Sequence, residues 1–402
     1  MNPSRIILDP DSLPTEGRPW MFVLGGLLVA LLAFMPAAFG AVEAWSELVV
    51  ISISAALSIC LALWFVFGRN IRPNTTWGWL PLLLFLLVVA GQLVPWHIGL
   101  VRWLSPSTLS TRQKLLGDSS AADSQATISI YPLATAHGLR LLFVGMTCFA
   151  VAASAFRNSR QVKGILTAVF AIGCAEALLA LAQIATGADK IYWSVATPSS
   201  APCGSFVNYS HFCQFMNLSL GAGIALVLIR LHEDRRADHR APIGRFWPSI
   251  DWEVYGWRIV GIILSAMVVF ISMSRNGAIS LVAAAAVIGT ALYRRGSLSW
   301  RGWLVGMLPL GVLAGLLLFG FDAVYARLST LSQARSYEGR WQLTLDTLRV
   351  WRDFPIWGIG LGTHEYVFPM LDSSAAPYLA AHADNDYAEL LEEMGLVGAI
   401  CV

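Results

Sequence analysis

The stretch LVVISISAALSICLALWFVF, residues 48–67, runs for twenty positions without a charged side chain. A helix of about 20 apolar residues covers the roughly 30 Å hydrocarbon core of a bilayer, so this stretch predicts a membrane-spanning helix. Other candidates lie on both sides of it: Trp20–Gly40, Trp77–Val94, Leu139–Phe156, Ile165–Ala185, Phe212–Leu231, Ile259–Ser274, Gly277–Tyr293 and Trp303–Phe321. One more apolar segment starts near Gly395 and is cut off at Val402. The expected fold class is an all-α polytopic membrane protein of about ten transmembrane helices, the last one truncated. A large external loop containing amphipathic helices completes it.

Composition agrees. Of 402 residues, 56% are hydrophobic and only 13% charged, which excludes a soluble globular chain. The 16 Trp supply rings for the membrane interfaces. Basic residues sit in small clusters between apolar spans and form no continuous face, so nucleic acid is not an expected partner; membrane lipids are. Cys60, Cys148, Cys174 and Cys401 fall in apolar spans and read as small core residues, while Cys203 and Cys213 lie nearer the outer side without a spacing that demands a bridge. Met1 to Pro19 is polar and lacks a small-residue cleavage site, so it reads as a cytoplasmic tail.

Orientation follows from Lys and Arg in the short loops. Arg69 and Arg72, then Arg157, Arg160 and Lys163, then Arg235, Arg236, Arg240 and Arg245, then Arg294, Arg295 and Arg301 occupy every second loop. With the N-terminus inside, Pro95–Gly138, Thr186–His211, the turn at Arg275 and Phe321–Gly395 are external. The last of these holds 11 of the 25 acidic residues. The expected organisation is a tail over 1–19, a transmembrane scaffold over 20–258, and a domain over 259–402 whose loop 321–395 carries the chemistry.

Several constellations point to that chemistry. Arg275 stands beside Asn276-Gly277, where the next helix is expected to begin; a guanidinium at a helix N-terminus near the membrane surface suits a lipid diphosphate, or simply fixes topology. Glu176, with Gln183 on the same helical face, is an intramembrane carboxylate that is either functional or a bundle hydrogen bond. Trp341, Leu345 and Leu348 share a face, which predicts an amphipathic helix over Gly339–Asp353 with Arg340 in its first turn and Pro355 after its end. The cluster Gly358-Ile359-Gly360-Leu361-Gly362 lacks a preceding strand and reads as a close-packed turn, not a nucleotide fingerprint. From Asp384 onward, Tyr387, Leu390, Leu391 and Met394 form an apolar stripe, with Glu389, Glu392 and Glu393 on the other face and Asp384 or Asn385 as the cap. His382 then lies in a loop just outside a helix start, where a neutral imidazole suits a general base for a sugar hydroxyl. Asp384-Asn385-Asp386 resembles an Asp-x-Asp metal motif, but capping accounts for it without a metal.

The ordered set of these motifs resembles the bacterial O-antigen ligase and O-antigen polymerase superfamily. Gly91-Gln92-Leu93-Val94-Pro95 with Leu104-Ser105-Pro106 is similar to the segment before its first large external loop. Gly204-Ser205-Phe206-Val207-Asn208-Tyr209-Ser210-His211 resembles its Gly-[Ser/Thr]-Phe-x-Asn-x-x-His signature. Ser274-Arg275-Asn276-Gly277, Gly339-Arg340, Pro355 to Gly362 and His382 to Gly395 follow in order. The resemblance implies metal-independent, cofactor-free glycan transfer from an undecaprenyl-diphosphate-linked donor to a glycan or lipid acceptor, in surface polysaccharide or lipopolysaccharide biosynthesis. The site would lie at the outer face of the bacterial inner membrane. It implies Arg275 and Arg340 on the diphosphate, His382 as the base, and Asn208, His211, Asn385 and Tyr387 as further substrate-binding residues. Many members carry histidine directly before the Asn matching Asn385; here Asp384 holds that place, which makes it the alternative base. A polymerase is the alternative within the family. A small-solute carrier of the inorganic-carbon type is the alternative outside it, although no internal repeat is visible and only Glu176 stands at membrane depth.

Overall fold

The computed structural model describes residues 18–68, 76–117, 124–156, 158–188, 190–196, 203–238, 252–272, 275–294, 307, 311, 335–370 and 381–402. The helices in chain order are α1 (Arg18–Ala37), α2 (Ala44–Phe67), α3 (Trp79–Leu93), α4 (Ile98–Leu104), α5 (Pro106–Leu116), α6 (Pro132–Ala155), α7 (Ser159–Thr186) and α8 (Tyr209–Asp238). They continue as α9 (Trp252–Ile271), α10 (Arg275–Arg294), α11 (Arg335–Asp353), α12 (His364–Val367) and α13 (Asp386–Ala399). Among the described residues, strand structure is limited to two antiparallel ladders, Trp96 with Ala126 and Lys190 with Ala196 at their outer pairs.

Among the described residues, five helices are long and apolar enough to cross a membrane: Pro19–Ala37, Ala44–Phe67, Pro132–Ala155, Ser159–Thr186 and Tyr209–Asp234. Trp79–Leu93, Tyr255–Ile271 and Ile279–Thr290 are shorter apolar helices. The chain is thus a multi-pass, all-α membrane protein. The expected span Trp303–Phe321 lies outside the described residues but for positions 307 and 311.

The chain divides into two compact bodies, Met1–Ile71 with Val151–Ser332 and Arg72–Ala150 with Gln333–Val402. In the first, α7 opens on a capping box of Asn158 and Gln161 and closes on left-handed Gly187, so both ends have their free backbone groups satisfied. Glycines let α7, α8 and α9 approach closely, as expected where packing rather than water drives helix association. A Cβ at Gly223 or Gly261 would stand 2.5 or 2.6 Å from the Phe170 ring, which is fully buried between them. One at Gly173 would overlap Ser219. Cys203 and Cys213 are buried and not joined in a disulfide: the Cys203 thiol donates to the Phe206 carbonyl and Cys213 lies beside Ser272.

Glu176 and Gln183 take the bundle role. The Glu176 carboxylate accepts the Ser205 N–H at 3.1 Å, and Gln183 donates to the Gly204 carbonyl at 2.8 Å. Together they fix the turn that leads into α8.

In the second body, Ile130, Val350, Phe354, Ile359, Val367 and Phe368 form one apolar core. Beside this core, Ser129 N–H donates to the Gln92 carbonyl and Ile130 N–H to the Ile359 carbonyl.

Candidate functional site

The glycine cluster and the end of α13 interlock through their backbones. Gly395 is non-helical (φ 62°, ψ −167°), so the helix opens there. In a regular helix the N–H groups of Leu396 and Val397 bond the carbonyls of residues four earlier, Glu392 and Glu393. Here Leu396 N–H goes to Pro355 and Val397 N–H to Ile356, while the freed Glu392 and Glu393 carbonyls accept from Ile359 and Gly360. These four released backbone groups are all re-used, which is why the opening is affordable in a buried place.

Side chains lock the same joint. Gln92 donates to the carbonyls of Trp357 (2.8 Å) and Glu393 (2.9 Å) and accepts the Leu361 N–H at 3.2 Å. The approach is too close for Cβ atoms: one at Gly358 would lie 2.3 Å from the Glu393 backbone, and one at Gly395 2.2 Å from the Ile356 carbonyl oxygen. Both residues also have positive φ. The close-packed turn expected from the sequence is present, and α13 is what it packs against.

This joint buries glutamates of α13 together with Met394 of its apolar stripe. Glu392 is fully buried and Glu393 6% exposed, whereas Tyr387 is 81% exposed. The glutamates face inward because the turn presents N–H donors rather than apolar surface. Glu393 accepts from the backbones of Gly362 and His364, the latter at 3.0 Å. Burial, and the nearby charges of Glu389 and Glu392, push its pKa up to about 7 despite those bonds. Glu392 meets His364 Nδ1 at 2.5 Å, and the imidazole stacks on Phe368 at 4.7 Å. Burial also raises the Glu392 pKa; burial opposes the His364 imidazolium, but the Glu392 bond and the charges of Glu392, Glu389 and Glu393 outweigh it and raise that pKa too. His364 Nε2 and Glu392 Oε1 have no hydrogen-bond partner among the described residues.

His382 stands outside this buried group, with its side chain 74% exposed. Its Nδ1 lies 2.9 Å from Glu389 Oε1, and the other oxygen of Glu389 accepts the Ala383 N–H at 2.8 Å. Asp384 follows in the left-handed region (φ 54°), and Asn385 caps α13 by accepting from Tyr387 and Ala388 N–H. The cap is therefore Asn385, not Asp384.

The remaining expected residues divide between the bodies. Arg340 is the sixth residue of α11, which begins at Arg335, so it lies beyond the first turn where it was expected. The buried face of α11 carries Thr344, Asp346, Thr347 and Val350, while of the apolar stripe Leu345 and Leu348 are half-buried and Trp341 is 64% exposed. Arg275 is the first residue of α10, which places Asn276 and Gly277 inside that helix rather than before it. Asn208 accepts the Ser210 N–H at 2.8 Å at the start of α8, and His211 is exposed in its first turn. Arg275, Asn208 and His211 belong to the first body; Arg340, His382, Asp384, Asn385 and Tyr387 belong to the second. Among the described residues, no three His, Cys, Asp or Glu side chains are grouped to hold a metal ion.

Reading the sequence missed Gln92, His364 and the three glutamates as one assembly. The available signal was the coincidence of Glu at 389, 392 and 393 with an apolar chain and a glycine cluster that needed a partner. Residues 260–402, which include α10 to α13, match the family described as O-Antigen ligase. No curated protein and no solved structure matches the chain.

Proposed function

We propose, because residues 260–402 match the O-antigen ligase family and the ordered motifs along the chain resemble its superfamily, that the protein transfers a glycan from an undecaprenyl-diphosphate-linked donor to an acceptor hydroxyl. The place of reaction is the outer face of the bacterial inner membrane, in keeping with the alternation of basic loops. One structural observation supports the reading above the rest. In the matched region, an exposed imidazole is held by one nitrogen and offers the other, His382 against Glu389.

The chemistry balances as a single displacement. The acceptor oxygen bonds to the anomeric carbon, and the bond from that carbon to the diphosphate oxygen breaks with its electron pair staying on the lipid diphosphate. The acceptor proton passes to His382 Nε2. Arg275 and Arg340 serve the diphosphate, where planar, permanently charged forks stabilise the leaving group without a divalent cation. Asn208, His211, Asn385 and Tyr387 contact substrate. Because Asn385 spends its amide oxygen on the α13 cap, its amide nitrogen is the group it can offer.

Comparison of lipid-linked glycans and surface polysaccharide in cells with and without the gene tests the reading. Long lipid-linked chains accumulating without the gene indicate a ligase, and single repeat units a polymerase. Unchanged glycans with altered solute uptake overturn the proposal in favour of a carrier. At the residue level, His382→Ala should lower transfer by on the order of a hundredfold with donor binding nearly intact. Asp384→Asn should be mild; loss of transfer there, with His382→Ala tolerated, would make Asp384 the base.

A further inference from the structure

We infer that Glu389 is the positioning residue for His382, holding the ring by Nδ1 so that Nε2 faces the acceptor hydroxyl. This rests on the transferase reading above. His382 lies three residues before the cap Asn385, in the loop that leads into α13. Glu389 tethers that loop with both oxygens: Oε2 takes the Ala383 N–H at 2.8 Å and Oε1 the His382 ring at 2.9 Å. Ala383 itself is fully buried, so the tether is anchored between its two bonds.

The grip also selects a tautomer. A neutral imidazole has one N–H, and a carboxylate at Nδ1 draws it there, which leaves Nε2 with the lone pair a general base requires. The side chain of Glu389 is only 18% exposed, against 74% for His382, so the anchored end is fixed and the reactive end is open. The bond to Glu389 raises the His382 pKa, with burial opposing and the charges of Glu389, Glu393 and Glu365 adding to it. The Glu389 pKa is lowered: burial opposes, but the bonds from His382 and Ala383 and the charges of His382 and His364 prevail. The groups bearing on the pair thus come from α12 (His364, Glu365) as well as from α13.

The test uses the full chain in nanodiscs with ring-labelled histidine, the His382 signal being assigned by its loss in His382→Gln. Glu389→Gln keeps an acceptor for Ala383 but removes the charge. In that variant the His382 titration should move to lower pH, while Glu365→Gln moves it less. Transfer by Glu389→Gln should show kcat reduced about tenfold, KM for donor within twofold, and its acid limb shifted the same way as the His382 signal. Glu389→Asp, which keeps the charge, should retain more of the raised titration and more of kcat, and serves if Glu389→Gln does not fold. An unchanged His382 titration in Glu389→Gln overturns the inference. So does a titration that moves while the acid limb of transfer stays put. If the wild type transfers no glycan at all, the transferase reading fails, whereas the titration still reports whether Glu389 governs His382.

Discussion

Glu176 on α7 and Glu393 on α13 both reach a turn built on left-handed glycine, and both accept a backbone N–H there, at 3.1 and 3.0 Å. Their surroundings differ. α7 is an unbroken helix of 28 residues capped at each end, and its carboxylate is one anchor on a loop that follows. α13 is opened at Gly395, and the glycine turn is bonded to its backbone on both sides of the opening. In the first body a side chain holds the turn; in the second the main chain does. Glycine should therefore be far less replaceable in the second.

The largest expected effect comes from testing that contrast directly. Gly358→Ala places a Cβ 2.3 Å from the Glu393 backbone, which cannot yield, and Gly204→Ala places one 2.7 Å from the Glu176 carboxylate, a side-chain end that can shift at the cost of its bonds to Ser205. Both carry a left-handed penalty of about 1–2 kcal/mol. Gly358→Ala should abolish monodisperse protein in detergent, whereas Gly204→Ala should remain foldable with a lowered melting temperature. Equal behaviour of the two would erase the distinction between a side-chain and a main-chain joint.

Next in size is a pH effect from Glu393. Its folded pKa of about 7 lies above the ordinary 4.5, so the folded state holds more protons between these values. Its contribution to stability is full below pH 4.5 and is lost as pH rises through 7. Two and a half units at about 1.4 kcal/mol each give roughly 3 to 4 kcal/mol. Glu393→Gln should remove that fall, so the stability difference between variant and wild type, from denaturant titrations at pH 4.5 and 8, should grow by about this amount. A pH-independent difference would mean that Glu393 is not buried in this way.

The smallest effect expected is from Gln92→Ala, which deletes three hydrogen bonds to the turn and α13. A loss of about 2 kcal/mol is expected, together with faster hydrogen exchange at Leu361, whose N–H loses its acceptor. A loss confined to α3, leaving Leu361 protected, would show that Gln92 steadies its own helix rather than the joint.

The joint also explains what could and could not be read from the residues in order. Eight of the apolar candidates recur as helices because run length and charge exclusion alone decide them. For α11 and α13 only the apolar stripes were legible. Periodicity finds the stripe but not which stripe faces inward, and the usual assumption is that water lies outside and oil inside. Here the inward neighbours of α13 are backbone N–H groups and His364, so Glu392 and Glu393 go in and Tyr387 goes out. Arg340 was misplaced by a turn because α11 starts at Arg335, where the sequence offers no strong cap.

By itself the sequence determined that the chain crosses a membrane several times, that its glycines at 358, 360 and 362 make a tight turn, and that His382 lies in a loop before a capped helix. These follow from local rules: hydrocarbon thickness, backbone freedom without Cβ, and capping of free N–H groups. Tertiary structure alone decided that Gln92 bonds residues more than 260 positions away, that α13 opens at Gly395 to admit residues 355–360, and that Glu389 reaches back to His382. Such choices depend on which donors and acceptors two distant segments bring together, and a hydrogen bond leaves no periodic trace in the order of residues.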